Sequence, residues 1–562
     1  MNQSVWQTIH TRRYAPLKTN GQFDVVVIGG GITGLSAAYF LKRAGKTVCV
    51  VERDRIGYGD TGDTTAHLTA VTDLRIKTLV KNFGEEAAKL VFQAGTVAID
   101  SIEAIVREHD IDCQFRRVPG FLHASLIDGQ DEHKQLAAEA EMAQRLGINA
   151  QFVESVPFVD KPGIRFPDQA IFHPLAYLAG LARAIDGDGS AIHEQTEIDA
   201  VESAPLTVKA GRRQIVCNEL VVATHVPLVG IANLAGAAAF QTKLASFSSY
   251  AVSATLPGAS RPEVSLWDTS SPYYYLRIDR DKKHDRVVFG GEDHKTGQAA
   301  DTERCYEKLE SVLADIFPEA KVQHRWSGQV VETNDGLPFI GPTAEGQFAA
   351  TGFAGNGITF GTLAGMMARD CFTARQNPWQ ELFAVDRKKI RGGAWRYLKE
   401  NVDYPYYYFK DRLASAEGSS TRSVHRGEGK ILEFDGRRVA CSRDEHGKLT
   451  LLSAECTHMG CVVRWNRAER TWDCPCHGSR FHPDGEVLAG PAEKPLPPVT
   501  LEKPAAAAEK HRATSKKRSP AGNGKPAALA KKIPARRRPK ASVNGRSQTR
   551  RHPRSPAPDK GR

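Results

Sequence analysis

Residues 23–52 read FDVVVIGGGITGLSAAYFLKRAGKTVCVVE. Asp24–Ile28 is a short valine-rich run, the pattern of a strand buried on both faces in a parallel sheet. It breaks at Gly29-Gly30-Gly31-Ile32-Thr33-Gly34, which fits G-x-G-x-x-G through Gly29, Gly31 and Gly34. Leu35–Arg43 carries apolar residues at helical spacing, and Gly45 is placed to stop that helix. Thr47–Val51 reads as a second strand, ending in Glu52, 23 residues after Gly29. Each part has a physical task. Gly29 permits the tight turn, Gly31 lets a pyrophosphate approach the backbone, and Gly34 allows close helix–strand packing. The helix N-terminus offers free N–H groups to phosphates, and Glu52 can accept hydrogen bonds from an adenosine ribose. A lone glycine motif is weak evidence. Strand, glycines, helix, strand and acid in register are strong.

At 562 residues the chain holds more than one domain. Its net charge of +11 is not a global property. Glu502–Arg562 carries 19 Lys and Arg against 3 Asp and Glu, so this tail holds +16 and the remainder −5. Such a tail, rich in Lys, Arg, Ala and Pro with few large apolar residues, cannot offset its chain entropy by burial and is expected to be disordered. Its KKR at Lys516 and RRR at Arg536 give it weak, salt-dependent attraction for nucleic acid or other polyanions. Six of the ten cysteines are scattered, as buried small apolar residues are, and four fall between Cys456 and Cys476. Arg12-Arg13 is not followed by a separate apolar segment, and no run is long enough to span a bilayer. The expected location is cytoplasmic, with no membrane span.

Met1–Gln22 reads as an N-terminal arm. Arg55–Thr72, full of Gly, Thr and Asp, suits either a loop around phosphates and a flat ring or a solvated surface loop. Thr78–His109 and Asp131–Leu146 read as helices, Phe121–Ser125 as a strand, and Ala170–Ala184 leads into a further helix. Gln214–Thr224 is expected to return to the first sheet. Around Ser246–Ala254, Tyr273–Ile278 and Arg286–Gly291 the period shifts to alternation, which predicts an antiparallel sheet. Val330–Pro342 and Phe348–Arg369 follow as strand, glycine-rich turn and helix. In Gln376–Arg412, the aromatic YPYYY is either ordinary packing or a surface between domains, and Leu413–Arg422 has linker composition.

The opening fingerprint, VVAT ending at Thr224, WSG at Trp326, DGLPFIG from Asp335 and GFAGNGITFG from Gly352 together resemble the D-amino-acid oxidase superfamily of flavoproteins, in its glycine oxidase and γ-glutamylputrescine oxidoreductase branch. The resemblance covers roughly Phe23 to Cys371. It implies an α/β fold with FAD bound in a split Rossmann-like domain and a mixed sheet forming the substrate domain. By position, Gly29–Gly34, Glu52 and Arg53 would hold the ADP part. Thr64, Thr65 and His67 would lie near the ring, and Gly355, Asn356, Gly357, Ile358 and Thr359 near its pyrimidine end. Thr224 and Asp335 complete the expected cofactor set. The common strand ending A-T-G is here Ala223-Thr224-His225. No second nucleotide unit with its ribose acid in place is found, which favours a reductant other than a nicotinamide. Arg277 could pair with a substrate carboxylate or form a surface salt bridge, and His294 could face the pocket or sit in a turn. No catalytic base is assigned.

Cys456-Thr457-His458-Met459-Gly460-Cys461 is followed, after 12 residues, by Cys474-Pro475-Cys476-His477-Gly478-Ser479. A zinc site of two Cys and two His is the rival reading. One thiolate and one imidazole per loop, each with a second cysteine nearby, resembles the Rieske [2Fe–2S] family over about Ser423 to Leu501, a small all-β domain. That resemblance implies Cys456 and Cys474 on one iron, His458 and His477 on the other, and a disulfide between Cys461 and Cys476. It also implies that Ser479 bonds a cluster sulfur. Phe481 stands where respiratory members carry a tyrosine with the same task, and Gly490-Pro491 would begin the covering loop.

The expected organisation is an arm (1–22), an FAD-dependent oxidoreductase (23–375), a helical segment and linker (376–422), the Rieske domain (423–503) and the tail (504–562). Within the oxidoreductase, FAD-binding parts are expected near 23–100, 165–240 and 325–375, and the substrate domain near 101–164 and 241–324. The expected function is oxidation of an amine or amino-acid-like small molecule, with electrons passed singly to the chain's own cluster and on to an unidentified acceptor. A reductase fed by an outside donor through the cluster, and a redox-responsive nucleic-acid binder acting through the tail, are the alternatives.

Overall fold

The computed structural model describes residues 3–226, 240–280, 283–387, 401, 405–412 and 414–501. The basic tail, with its expected disorder and polyanion binding, lies outside the described residues.

The opening fingerprint forms β1 (Gly21–Ile28), α1 (Ile32–Arg43) and β2 (Val48–Val51). Gln214–Thr224 returns as expected: Arg213–Val222 pairs in parallel with β1, and Gln347–Thr351 in parallel with Arg213–Val222. On the other side β2 pairs in parallel with Ala191–His193. Phe339–Ala344, antiparallel to Gln347–Thr351 at one margin, and the antiparallel pair Ala200–Ser203 and Leu206–Ala210, branching from Arg213–Val222, bring this sheet to eight. Val25, Val26 and Val27 are fully buried because both faces are covered, which is why the run does not alternate. Gly34 is required here: a Cβ would lie 1.9 Å from the Gly29 carbonyl oxygen. The helix Gly357–Phe372 crosses α1 at similarly close range, for a Cβ on Gly365 would come within 2.6 Å of the Ala37 nitrogen.

The second sheet has nine strands, in the order 321–333, 244–257, 284–295, 275–280, 265–268, 116–123, 163–171, 67–68, with 151–153 beside 163–171. It is antiparallel except where 265–268 runs parallel to 116–123. This sheet takes in 163–171 and 321–333, so it extends beyond the approximate substrate-domain limits. The alternation that predicted it is real, with inward residues such as Tyr250, Val252 and Phe289 forming a core of their own. Thr78–His109 is two helices, Ile76–Phe83 and Glu85–Glu108, broken where Gly84 adopts a φ of 91°.

The C-terminal domain stacks a three-stranded sheet (429–434, 437–443, 449–453) near a four-stranded one (464–466, 471–473, 480–481, 487–489). Trp472, Phe481, Val463 and Leu452 fill its core together with Cys456 and Cys474. The linker-like stretch is partly structural: Glu417 N–H donates to Ile431 and the Gly418 carbonyl accepts from Glu433, extending the first of these sheets. Of the aromatic segment, Tyr408 packs against the domain core, while Tyr406 and Phe409 are exposed. No helix among the described residues is long and apolar enough to cross a membrane.

The N-terminal arm is an anchor. Ser4 Oγ donates to the Gly62 carbonyl, Gln7 Nε2 to Asp63, and the buried Trp6 donates from Nε1 to the Thr64 carbonyl at 2.6 Å. Removing this indole by Trp6→Ala should cost about 3–5 kcal/mol, read as a lowered urea midpoint, whereas Trp6→Phe should retain most of the stability.

Candidate active site

The carboxyl ends of β1 and β2 open into a cavity of about 1620 Å³. Gly29, with φ 110°, donates to the Val51 carbonyl and turns the chain into α1. Gly29, Gly31, Ile32 and Thr33 line the cavity, while Gly30 and Gly34 lie beneath. The Gly30 N–H holds Glu52 Oε2 at 2.6 Å and Asp54 N–H holds Oε1 at 2.8 Å, so the carboxylate is aimed before any ribose arrives. Burial raises the Glu52 pKa against these two bonds. Arg53 also lines the cavity. Glycine backbone, helix N-terminus and oriented acid fit an ADP moiety on their own chemistry.

Farther in, Thr64, Thr65 and His67 come from the small-residue loop, Thr224 from its strand end, and Gly355, Asn356, Gly357 and Ile358 from the second glycine-rich turn; all line the cavity. His67 Nδ1 meets Ser265 Oγ at 2.5 Å, and burial followed by the Arg277 charge lowers its pKa to about 3, so the ring is neutral. His225, where the family pattern has glycine, adopts the left-handed φ of 66° that glycine would supply, and its ring faces Asp60 at 3.5 Å.

Four expected residues take other roles. Thr359 turns away and donates to the Thr69 carbonyl. Asp335 is outside the cavity, in a buried pair with Arg387 at 2.7 Å, and accepts from the Leu337 N–H. Arg277 cannot reach a substrate carboxylate: Nε and Nη2 donate to Asp279, and Nη1 to the carbonyls of Thr65, Ala66 and Phe172. His294 stacks on Tyr250 behind the sheet, while its neighbour Asp293 lines the cavity. Alternation along a strand puts adjacent residues on opposite faces, and the imidazole drew attention to the wrong one.

Sequence reasoning also missed the polar group around Asp293. Asp73, Glu332, Tyr273, Tyr275 and Ser249 line the same cavity. Ser249 Oγ and Tyr275 Oη are 2.7 Å apart, and Tyr273 Oη donates to Asp73 at 3.2 Å. Asp293 Oδ1 is buried without a hydrogen-bond partner. Its pKa is pushed up to about 7, first by burial and then by Glu332, Asp73 and Glu292, with Ser249 opposing. The cations lining the cavity among the described residues are Arg53 beside Glu52, Lys494 in the C-terminal domain, and Arg75, which Glu139 binds. The signal was present as three consecutive tyrosines in YYYLR, but which of them face the cavity follows only from register.

The two cysteine–histidine loops close on one point. The thiols of Cys456 and Cys474 are hydrogen-bonded, and this bond, with Ser479 and the backbone N–H groups of His458 and Met459, draws Cys456 down to about 7 against burial. The rings of His458 and His477 stand perpendicular, 4.9 Å apart. His458 Nε2 donates to Gln241 Oε1 at 2.9 Å, which leaves the buried Nδ1 without a hydrogen-bond partner. A lone pair orphaned in this way suits a metal ligand whose outer nitrogen is held by the protein. Cys461 and Cys476 are bonded to each other, joining the loops, so their sulfurs are not free thiolates. These residues fit a cluster held by Cys456, Cys474, His458 and His477.

The cluster loops sit on the flavoprotein part of the chain. Gln329, which lines the cavity, donates from Nε2 to the Gly478 carbonyl at 2.7 Å, and Gln298 Nε2 donates to the Pro475 carbonyl at 2.9 Å. Phe481 is fully buried and brings no hydroxyl to the cluster. A redox titration followed by EPR should therefore give a midpoint potential below that of respiratory Rieske centres, and Phe481→Tyr should raise it.

The FAD dependent oxidoreductase (DAO) family matches residues 24–370, and the Rieske [2Fe-2S] domain matches 418–500. The chain is 32% identical over 508 residues to the Rieske 2Fe-2S iron-sulfur protein YhfW of Bacillus subtilis (strain 168), covering 89% of this chain and 98% of that protein. It is 24% identical over 435 residues to gamma-glutamylputrescine oxidoreductase of Escherichia coli (strain K12), covering 73% and 98%. Among solved structures, glycine oxidase from Geobacillus kaustophilus superposes with a TM-score of 0.54 at 18% identity, over 66% of this chain and 99% of that one, a likeness of fold. With dinucleotide cradle, cysteine–histidine loops and both family matches agreeing, the chain belongs to the DAO family of FAD-dependent oxidoreductases and carries a C-terminal Rieske [2Fe–2S] domain.

Proposed function

We propose that this enzyme oxidises a cationic amine, without a carboxylate beside the reacting nitrogen, and delivers the electrons one at a time to its own cluster. The observation that carries the reading is the pairing of an acidic cavity wall with cluster loops seated on that cavity's back. Asp293, Asp73 and Glu332 would attract an ammonium group, and Arg277, the residue best suited to a carboxylate, is committed to carbonyls and Asp279. Tyr273 and Tyr275 offer faces on which a cation can rest.

FAD held by the Gly29–Gly34 turn and Glu52 would supply a hydride acceptor for the carbon bearing the nitrogen, leaving an imine, and a cluster held by Cys456, Cys474, His458 and His477 would supply a one-electron route to an outside acceptor. The chain's own residues do the rest. Asp293 is ionised above about pH 7, where it would hold the ammonium and take its proton, so that the nitrogen lone pair is free when the C–H bond breaks. Below that pH it is neutral and does neither. Ser249 ties it to Tyr275, fixing its direction. Gln329 spans the distance between cavity wall and cluster loop with a neutral amide.

Anaerobic rapid mixing of the holoenzyme with mono- and diamines and with α-amino acids tests this. Flavin bleaching with the amines, followed by the reduced-cluster EPR signal, is expected. Faster bleaching by amino acids, or a cluster that stays oxidised while the flavin is reduced, would overturn it. Asp293→Asn should lower kcat/KM about 100-fold and abolish the acid limb of the pH profile near 7.

A further inference from the structure

We propose that the Rieske domain forms one wall of the FAD site, over the adenosine end, so that the cofactor is held between two domains. The cavity that begins at Gly29 and Glu52 is lined on its other side by Val487, Leu488, Gly490 and Pro491. Arg53, the residue after the ribose-binding acid, donates from Nη2 to the Leu488 carbonyl at 3.1 Å. That bond sets the segment directly against the place where Glu52 is aimed. Gly490 lies against Val226, just beyond the strand end at Thr224, at the distance of ordinary contact for a Cβ. Val487, Leu488, Gly490 and Pro491 of this wall suit a flat, largely apolar purine with its ribose.

The same segment belongs to the cluster's shelter. Ala492 N–H donates to Ser479 Oγ at 3.0 Å, and Thr457 Oγ1 donates to the Lys494 carbonyl at 2.6 Å. Between Val487 and Lys494 one short stretch therefore touches the dinucleotide cavity and both cluster loops. A ligand that binds only the arrangement with this wall in place must favour that arrangement by the same factor. FAD affinity and seating of the Rieske domain are thus one coupled equilibrium. The inference concerns FAD binding alone and stands whatever the substrate or direction of electron flow.

The test uses the full chain with its cluster loaded and its FAD removed, followed by hydrogen exchange. FAD should slow exchange of amides in 486–494 several-fold, along with those of 29–34, and ADP alone should protect the same segment. Protection confined to 29–52, or protection of 486–494 by riboflavin but not by ADP, would overturn the proposal. As a second measurement, Leu488→Asp should raise the FAD dissociation constant about tenfold, read by flavin fluorescence, with the cluster EPR signal unchanged. An unaltered constant with the EPR signal intact would refute it. Should that variant lose its cluster, the exchange measurement on the unmodified chain decides alone.

Discussion

The cofactor cavity depends on one buried guanidinium. Arg277 is 1% exposed, and its donors clamp the carbonyls of Thr65, Ala66 and Phe172 while its inner edge binds Asp279 at 2.5 Å. Ala66 sits at φ 58°, a conformation costly for any residue with a Cβ, and the clamp is what holds it there. From above, the Trp6 ring lies 5.0 Å from the guanidinium carbon and its nitrogen bonds the Thr64 carbonyl. The loop that lines this part of the cavity is thereby fixed from both directions. A buried charge is worthwhile only when nearly every proton on it is accepted, and a lysine, with its point charge, could not satisfy this fork.

That arrangement explains what the sequence could and could not disclose. Gly29–Gly34, Glu52 and the loops at Cys456 and Cys474 are legible because their chemistry is written in short-range spacing, which the chain realises locally. The fates of Arg277, His294 and Asp335 depend on which strand face each occupies and on partners far along the chain. Asp335 is engaged by Arg387, 52 residues on, and Arg277 by carbonyls more than 100 residues away. Asp293 escaped notice for the same reason, since its raised pKa arises from burial and from Asp73 and Glu332, which meet only in three dimensions. The arm of 1–22 carried a tryptophan, a residue rarely left in solvent, and that was the available hint of its docking.

Contact between the cluster loops and the flavoprotein is made by side-chain amides: Gln241, Gln298 and Gln329. Neutral amides orient the loops without adding a charge of their own beside a redox centre. The two parts also meet where Tyr306 donates to Glu469, and the buried Arg480, next to Ser479, is paired with Asp473.

A wall contributed by residues 487–491 also has a meaning in time. Synthesis proceeds from the amino terminus, so the glycine cradle emerges from the ribosome more than 430 residues before the segment facing it. A dinucleotide captured by the nascent flavoprotein would meet an open groove, and the enclosure is completed only when the iron-binding module has been made and seated. The direction of translation thus presents the cradle before the wall that faces it exists.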